Sequence, residues 1–299
     1  MMFRNFKRRA LTKPEPAYYT WRYATNFART WRARRHVPAF ADTSRIAGEL
    51  EEQGIVSADH SAFLTEEGQR HLATVSGQLI ESSRRREVLE IVESGSVDAD
   101  LRENPNKNYL INLLPKGEAH SPDSALVKLA LDPKLLEIVA AYLGLWPRLH
   151  AVNSWLNFPT DDPAQASQMW HRDGDDLKLI KVFIYLVDVD EERGPFSFIP
   201  KTHPFGAYSA KVPAHKDRIR VTDEEMSRDF GPETHLVCTG PANTMILADT
   251  VGYHRGGKPR SGSRILLTFT YTSGWPSKRH FLMSGEPSWQ MNDMQRMAL

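Results

Sequence analysis

Cysteine is almost missing from this chain: Cys238 is the only one in 299 residues. A single thiol cannot close an internal disulfide, so the fold must hold by burial and hydrogen bonding, as suits a reducing compartment. Long apolar runs are missing as well. No stretch approaches the roughly 18 apolar residues of a membrane-spanning helix, and the start lacks the apolar middle of a secretory signal. The expectation is a cytoplasmic protein, or an organelle-targeted one in a eukaryote, because the first residues are rich in arginine and poor in acids. Net charge is nearly absent: 38 Lys and Arg against 37 Asp and Glu leave +1, which argues against a nucleic-acid binder. Internal repeats and low-complexity tracts are absent too.

What charge imbalance exists is concentrated at the front. Residues 1–35 carry Arg4, Lys7, Arg8, Arg9, Lys13, Arg22, Arg29, Arg32, Arg34 and Arg35 against Glu15, with Tyr18, Tyr19, Trp21, Tyr23, Phe27 and Trp31 between them. One reading is a solvated basic arm that packs a few aromatics on the body. The sharper one is contact with an anionic membrane surface or an acidic partner.

Behind the arm the pattern is helical. Asp42-Thr43-Ser44 opens an amphipathic stretch that Gly54 can stop. Thr65-Glu66-Glu67 caps a second one, with Leu72, Val75, Leu79 and Ile80 as its buried stripe. Val88 to Val92 extend the apolar pattern to Gly95, and 98–107 reads as loop. A short strand is expected near Asn108–Leu114 and a short helix over Ser124–Leu131. Asp132-Pro133 then starts a helix that ends at Gly144.

From about residue 148 the texture changes to short β-like runs, expected at 149–158, 168–173, 179–189, 195–199, 235–239, 243–248 and 264–272. Many short strands without interleaved helices favour a sandwich or jelly roll. The expected organisation is a basic arm over 1–40 and a single domain over 41–299. That domain comprises a mostly helical part (41–147), a jelly-roll core (148–272) and a C-terminal tail (273–299).

The chemistry-bearing stretch is Gln168-Met169-Trp170-His171-Arg172-Asp173-Gly174. On a strand His171 and Asp173 would share a face, which makes half of a two-histidine, one-carboxylate metal site. His254, in Gly252-Tyr253-His254-Arg255-Gly256-Gly257, follows an apolar strand. Arg264 opens the next strand and offers a planar fork for a carboxylate. A lone histidine is usually structural, so His36, His60, His71, His120, His215 and His280 carry no functional weight.

Three blocks together resemble the phytanoyl-CoA dioxygenase family of Fe(II)- and 2-oxoglutarate-dependent oxygenases. They are Trp170 to Gly174; Lys181 to Leu186 running through Asp188 to Pro195 into Phe198-Ile199-Pro200-Lys201-Thr202-His203; and His254-Arg255-Gly256 with Arg264. The resemblance covers roughly 148–272. It implies a mainly β, double-stranded β-helix fold (jelly roll, cupin-like), with His171, Asp173 and His254 as iron ligands and Arg264 as anchor for the distal carboxylate of 2-oxoglutarate. It also implies 2-oxoglutarate and O2 as cosubstrates. Alternation puts Lys181, Phe183 and Tyr185 on one face of their strand, Phe183 falling where many relatives carry tryptophan. Thr268, with Thr270 and Leu266, shares the Arg264 face, and Asn153 and Asn157 are further polar candidates. Asp249 and Thr250 are expected to orient the loop that bears His254. Asp175 and Asp176 read as solvated turn residues, and Trp155, Trp170 and Trp275 as core or rim.

The implied activity is hydroxylation of a small molecule, a lipid or a sugar-type substrate with release of succinate and CO2. Because related halogenases replace the carboxylate with a small residue, Asp173 favours oxygenation. Two alternatives stand beside this: a catalytically silent jelly-roll binding module, and a cupin-like metal enzyme that does not use 2-oxoglutarate.

Overall fold

In the computed structural model, which describes residues 16–95, 97, 107–114, 119–211, 220–274, 281 and 283–299, the last strand, Arg264–Thr272, shows how the interior is partitioned. Its side chains alternate. Ile265, Leu267, Phe269 and Tyr271 enter the large apolar core, while Arg264, Leu266 and Thr268 line a cavity on the other face. Strand Ile180–Tyr185 repeats the division. Val182 and Ile184 go to the core, and Lys181 and Phe183 to the cavity. Each fully buried Leu, Ile or Phe on the core face contributes about 1.5–3 kcal/mol, so that face supplies stability.

The helices that cover the core face come first in the chain. They are α1 (Pro16–Thr25), α2 (Phe27–Arg35), α3 (Thr43–Gln53), α4 (Glu66–Ser83), α5 (Arg86–Ser94), α6 (Ala125–Ala130) and α7 (Pro133–Leu143), with α8 (Asp223–Asp229) and α9 (Asp293–Ala298) later. The strands are β1 (Ile55–Asp59), β2 (Leu110–Asn112), β3 (Arg148–Asn157), β4 (Ile180–Tyr185), β5 (Phe196–Phe198), β6 (Leu236–Cys238), β7 (Thr244–Ala248), β8 (His254–Gly256) and β9 (Arg264–Thr272). Two antiparallel sheets result, of order β1-β7-β4-β9-β3-β2 and β6-β5-β8. A second apolar cluster, including Phe183, Tyr185 and Leu266 from the large sheet and Phe196 and Phe198 from the small one, joins the inner faces. This is the expected jelly roll with helices in front.

Local chemistry explains the helix limits. Asp132 accepts from the backbone N–H groups of Lys134 (3.0 Å) and Leu135 (3.1 Å), which satisfies the open start of α7. Its other oxygen accepts from the Thr65 N–H and hydroxyl, so one buried carboxylate ties α7 to the start of α4. Gly144 ends α7 and Gly54 ends α3, both left-handed, at φ 67° and 79°.

Four expectations need correction. The strand expected over 168–173 is a 3-10 turn over Ala166–Gln168 followed by single bridges at Trp170 and His171. The Gln168 side chain caps the Gln165 N–H, and the segments that meet this stretch are too short to extend a ladder. The run expected at 179–189 pairs only over 180–185. Strands β1 and β8 were not anticipated, because three to five residues after a turn leave little periodicity to read. Asp176 is buried rather than solvated, and accepts from the Leu177 and Ser273 N–H groups, both at 2.7 Å.

The partner of Asp176 is Arg22, a residue of the basic front segment. Arg22 is fully buried, 3.5 Å from the Asp176 carboxylate, and donates to the carbonyls of Leu143 and Lys178. Tyr19 donates to the Leu177 carbonyl alongside it. This part of the segment is therefore packed, not solvated. The basic residues before Pro16, together with Trp275, His215, His280 and the loop over 98–106, lie outside the described residues.

Candidate metal centre

His171, Asp173 and His254 come from backbone segments that bond directly to one another. His171 and His254 exchange both backbone hydrogen bonds (2.9 and 3.0 Å), and the Asp173 N–H donates to the Thr250 carbonyl at 2.7 Å. Those bonds bring one ligand atom from each residue within 4.8 Å of the others. The imidazole rings lie 4.2 Å apart between centroids, and the Asp173 oxygens sit 3.7 Å from His171 Nε2 and 3.6 Å from His254 Nε2.

The other ring nitrogen of each histidine is held by the backbone. His171 Nδ1 meets the Met169 carbonyl at 2.9 Å and His254 Nδ1 the Gly252 carbonyl at 3.1 Å, which leaves both Nε2 atoms facing Asp173. The imidazole contact is made by the Gly252 carbonyl, while Asp249 holds the turn before His254 by accepting from the Val251 and Gly252 N–H groups. Asp249 also accepts from the Tyr142 hydroxyl at 2.7 Å, while Thr250 contributes only its carbonyl.

Electrostatics prepare the triad for a cation. Burial lowers the affinity of His171 and His254 for protons, and their mutual charge pushes His171 lower still, so both rings are neutral and able to ligate. Burial alone would raise Asp173. The Lys181 ammonium, which pairs with it, outweighs burial and holds the carboxyl well below the usual range. Lys181 Nζ donates to Asp173 Oδ2 at 2.6 Å, and the carboxylate in turn keeps the ammonium charged against its burial.

The floor of the cavity is built from rungs of the large sheet. Phe183, Thr268 and Asn153 are aligned across β4, β9 and β3; one rung along, Tyr185 and Trp155 flank Leu266; Asn157 stands opposite Arg264. The cavity measures about 390 Å³, within the range of small-molecule sites. Of the residues singled out from the sequence, His171, Asp173, His254, Arg264, Phe183, Lys181, Thr268, Asn153 and Asn157 all line it. Tyr185 does not: its hydroxyl donates to the Cys238 carbonyl at 2.6 Å and accepts from the Phe196 N–H, which ties the two sheets together behind the cavity. His203 bonds the Glu51 carbonyl and is structural. Trp170 is buried and donates to Asp223, and Trp155 is on the rim.

Among the described residues the other buried cations, Arg22 and Lys178, meet the carboxylates of Asp176 and Glu51, and Arg264 does not meet one. It is 2% exposed, and its Nε and Nη1 atoms have no hydrogen-bond partner among the described residues. A buried guanidinium without an anion is costly, so its retention fits an anionic ligand supplied from outside the chain. Gly256 leaves it room: a Cβ there would lie 3.2 Å from Arg264 Nη2. The donor set (two neutral imidazoles, one carboxylate) and the unpaired fork therefore fit a divalent iron and a dicarboxylate.

Sequence reasoning missed Lys107, Arg172 and Arg220, which also line the cavity. Regular strand alternation through His171 and Asp173 would turn Arg172 away from the cavity, but only single bridges form at Trp170 and His171. Arg220 has no neighbouring motif; only its pairing through Val221 with Trp170 brings it in.

Comparison with known proteins adds the following. Residues 90–238 match the family model described as phytanoyl-CoA dioxygenase (PhyH). A search of curated protein sequences finds no significant match. Among solved structures, the non-heme alpha ketoglutarate dependent epimerase SnoN from nogalamycin biosynthesis is similar in fold, with TM-score 0.50 and 14% identity over 82% of this chain and 97% of that one. The carbocyclase SnoK from the same biosynthesis gives 0.46 and 16% over 80% and 85%. EctD from S. alaskensis gives 0.49 and 18% over 85% of each. The family match ends before His254 and Arg264, and the fold brings both to the matched His171 and Asp173. Over residues 90–238 the chain is thus similar to the phytanoyl-CoA dioxygenase (PhyH) family.

Proposed function

We propose that the protein is an Fe(II)- and 2-oxoglutarate-dependent dioxygenase that hydroxylates a small-molecule substrate. The observation that carries this is the coincidence, in one cavity, of the His171, Asp173 and His254 donor set with the unpaired, buried fork of Arg264. The chemistry supplied by Fe(II) and 2-oxoglutarate when bound is oxidative decarboxylation to succinate and CO2, coupled to oxidation of a C–H bond by O2.

The chain's own residues do the rest. His171 and His254, neutral through burial, and Asp173, ionised through Lys181, hold the metal. Arg264 would hold the distal carboxylate of 2-oxoglutarate, since its unpartnered nitrogens match a carboxylate. Phe183, Leu266 and Phe196 form an apolar wall that keeps water from the reacting face. Asp173 supports oxygenation over halogenation, because its carboxylate fills the position a halide would need. The epimerase and carbocyclase among structures of similar fold make the C–H oxidation outcome the point to test.

The test is succinate release under Fe(II), 2-oxoglutarate and O2, with mass analysis of the second product. Incorporation of one oxygen atom into the substrate is expected, and a product lacking it sinks the hydroxylase reading. Absence of Fe(II) and 2-oxoglutarate binding, unaltered by His254→Ala, would return the chain to a silent jelly-roll module. Metal-dependent turnover untouched by Arg264→Ala would favour a cupin-like enzyme that does not use 2-oxoglutarate.

A further inference from the structure

Among the described residues the charges lining the cavity do not balance, and the imbalance survives the cofactors. Lys107, Arg172, Lys181, Arg220 and Arg264 line it among the described residues, against the carboxylates of Asp173 and Asp175. Histidines that bind a metal are neutral, so His171 and His254 add nothing to this sum. A divalent iron and the dianion of 2-oxoglutarate cancel each other, so the excess of three positive charges remains when both are bound. Lys181 is taken by Asp173 and Arg264 is placed for the cosubstrate. Arg220 faces the remaining space, while Arg172, which donates to the Ser209 carbonyl, and Lys107 add positive charge at the wall.

Arg220 is the best placed of these. Trp170 and Val221 exchange both backbone hydrogen bonds (3.1 and 2.9 Å) as an antiparallel bridge. Continuing that register sets Arg220 beside His171 on the face that carries the ligand. It lines the cavity together with His171, Asp173 and His254. One end of the guanidinium is fixed by the Ala166 carbonyl, on the turn that leads into His171. A planar fork anchored at one end next to the metal ligands is suited to receive a carboxylate or phosphate oxygen at the other. A cleft whose lining carries net positive charge also concentrates anions.

We infer that the substrate is an anion, carrying a carboxylate or a phosphate group that Arg220 receives beside the iron, with Arg172 and Lys107 supplying positive potential at the cavity wall. This rests on the oxygenase reading above. Recognition by Arg220 is a binding role distinct from that of Arg264.

The probes are inorganic phosphate and acetate, followed by 31P and 1H relaxation in the presence of protein loaded with Mn(II) and 2-oxoglutarate, with methylammonium as control. Calorimetry measures 2-oxoglutarate binding separately. Expected are saturable relaxation enhancement for at least one anion, none for methylammonium, and at least fivefold weaker anion binding in Arg220→Gln. Arg220→Lys should restore part of it, and 2-oxoglutarate affinity in Arg220→Gln should stay within twofold of the parent. Enhancement with phosphate alone assigns a phosphate ester, and with acetate alone a carboxylate. Three results overturn the inference: no saturable enhancement although 2-oxoglutarate binds, an enhancement indifferent to Arg220→Gln, or a loss of 2-oxoglutarate affinity in Arg220→Gln as large as in Arg264→Ala. Failure of 2-oxoglutarate to bind the Mn(II)-loaded parent overturns the oxygenase reading itself.

Discussion

The two faces of strands β4 and β9 follow opposite rules although they share one backbone. On the helix side, Val182, Ile184, Leu267, Phe269 and Tyr271 are fully buried, and the one hydroxyl among them, on Tyr271, donates to the Ala130 carbonyl at 2.5 Å. On the cavity side Lys181 and Arg264 are charged, and Arg264 has two nitrogens without a partner among the described residues. The first face lowers the free energy of the fold, and the second holds charge that only a ligand can compensate. Stability and binding are therefore separable in this sheet by side-chain parity.

The strongest break of this comparison is Asp173→Ala. Outer partners of a metal ligand are worth about 10–100-fold in affinity, so loss of the ligand itself should cost on the order of 1,000-fold in Fe(II) or Mn(II) affinity by calorimetry. The native fold should persist by circular dichroism. Phe269→Ala tests the other face. Unfolding in urea should show a loss of about 3–5 kcal/mol, while metal affinity of the folded fraction stays at the parent value. A Phe269 variant that loses metal affinity as steeply as stability would show that the faces are coupled.

Arg264→Ala should separate the two quantities in one residue. Truncating a buried partner of a charged ligand costs about 2–5 kcal/mol, hence roughly 30-fold or more in 2-oxoglutarate affinity. Stability without ligand should hold or rise, because an uncompensated guanidinium has been removed. A variant that is both less stable and normal in 2-oxoglutarate binding would assign Arg264 to the scaffold.

The gentlest test is pH. Burial pushes the Asp249 carboxyl up to about 7, against the hydrogen bonds from Tyr142 and Val251 and the charge of Lys178. The folded chain then keeps a proton that the unfolded chain releases near pH 4. Stability from this group accordingly falls as pH rises from about 4 to 7, with a slope of up to about 1.4 kcal/mol per unit, and is level above that. Urea titrations of the parent and Asp249→Asn should differ by this slope. Parallel curves would mean that Asp249 titrates at its ordinary value.

Several of these features were readable without a structure. Alternation along Lys181 to Tyr185 and Arg264 to Thr270 gave the right parity, because a strand buried on both sides still obeys the two-residue repeat. Asp132-Pro133 and Gly144 marked a helix from capping chemistry that acts within a few residues. Legibility failed where the deciding partner was distant. Asp176 looked like a solvated turn acid until Arg22, far away in the chain, was found packed against it. Tyr185 had the right face but the wrong role, since the Cys238 carbonyl that takes its hydroxyl belongs to the other sheet.

By itself the sequence determined the residue types and the local periodicities: which side chains can ligate, which can cap, and which face of each strand is apolar. Those depend on short-range geometry and intrinsic chemistry. Only the tertiary structure decided that His171, Asp173 and His254 meet within 4.8 Å, that Arg264 is left without a partner among the described residues, and that Arg220 stands beside His171. Those facts depend on backbone pairing between segments far apart in the chain, where the net charge and desolvation of a site are set by neighbours the local sequence does not contain.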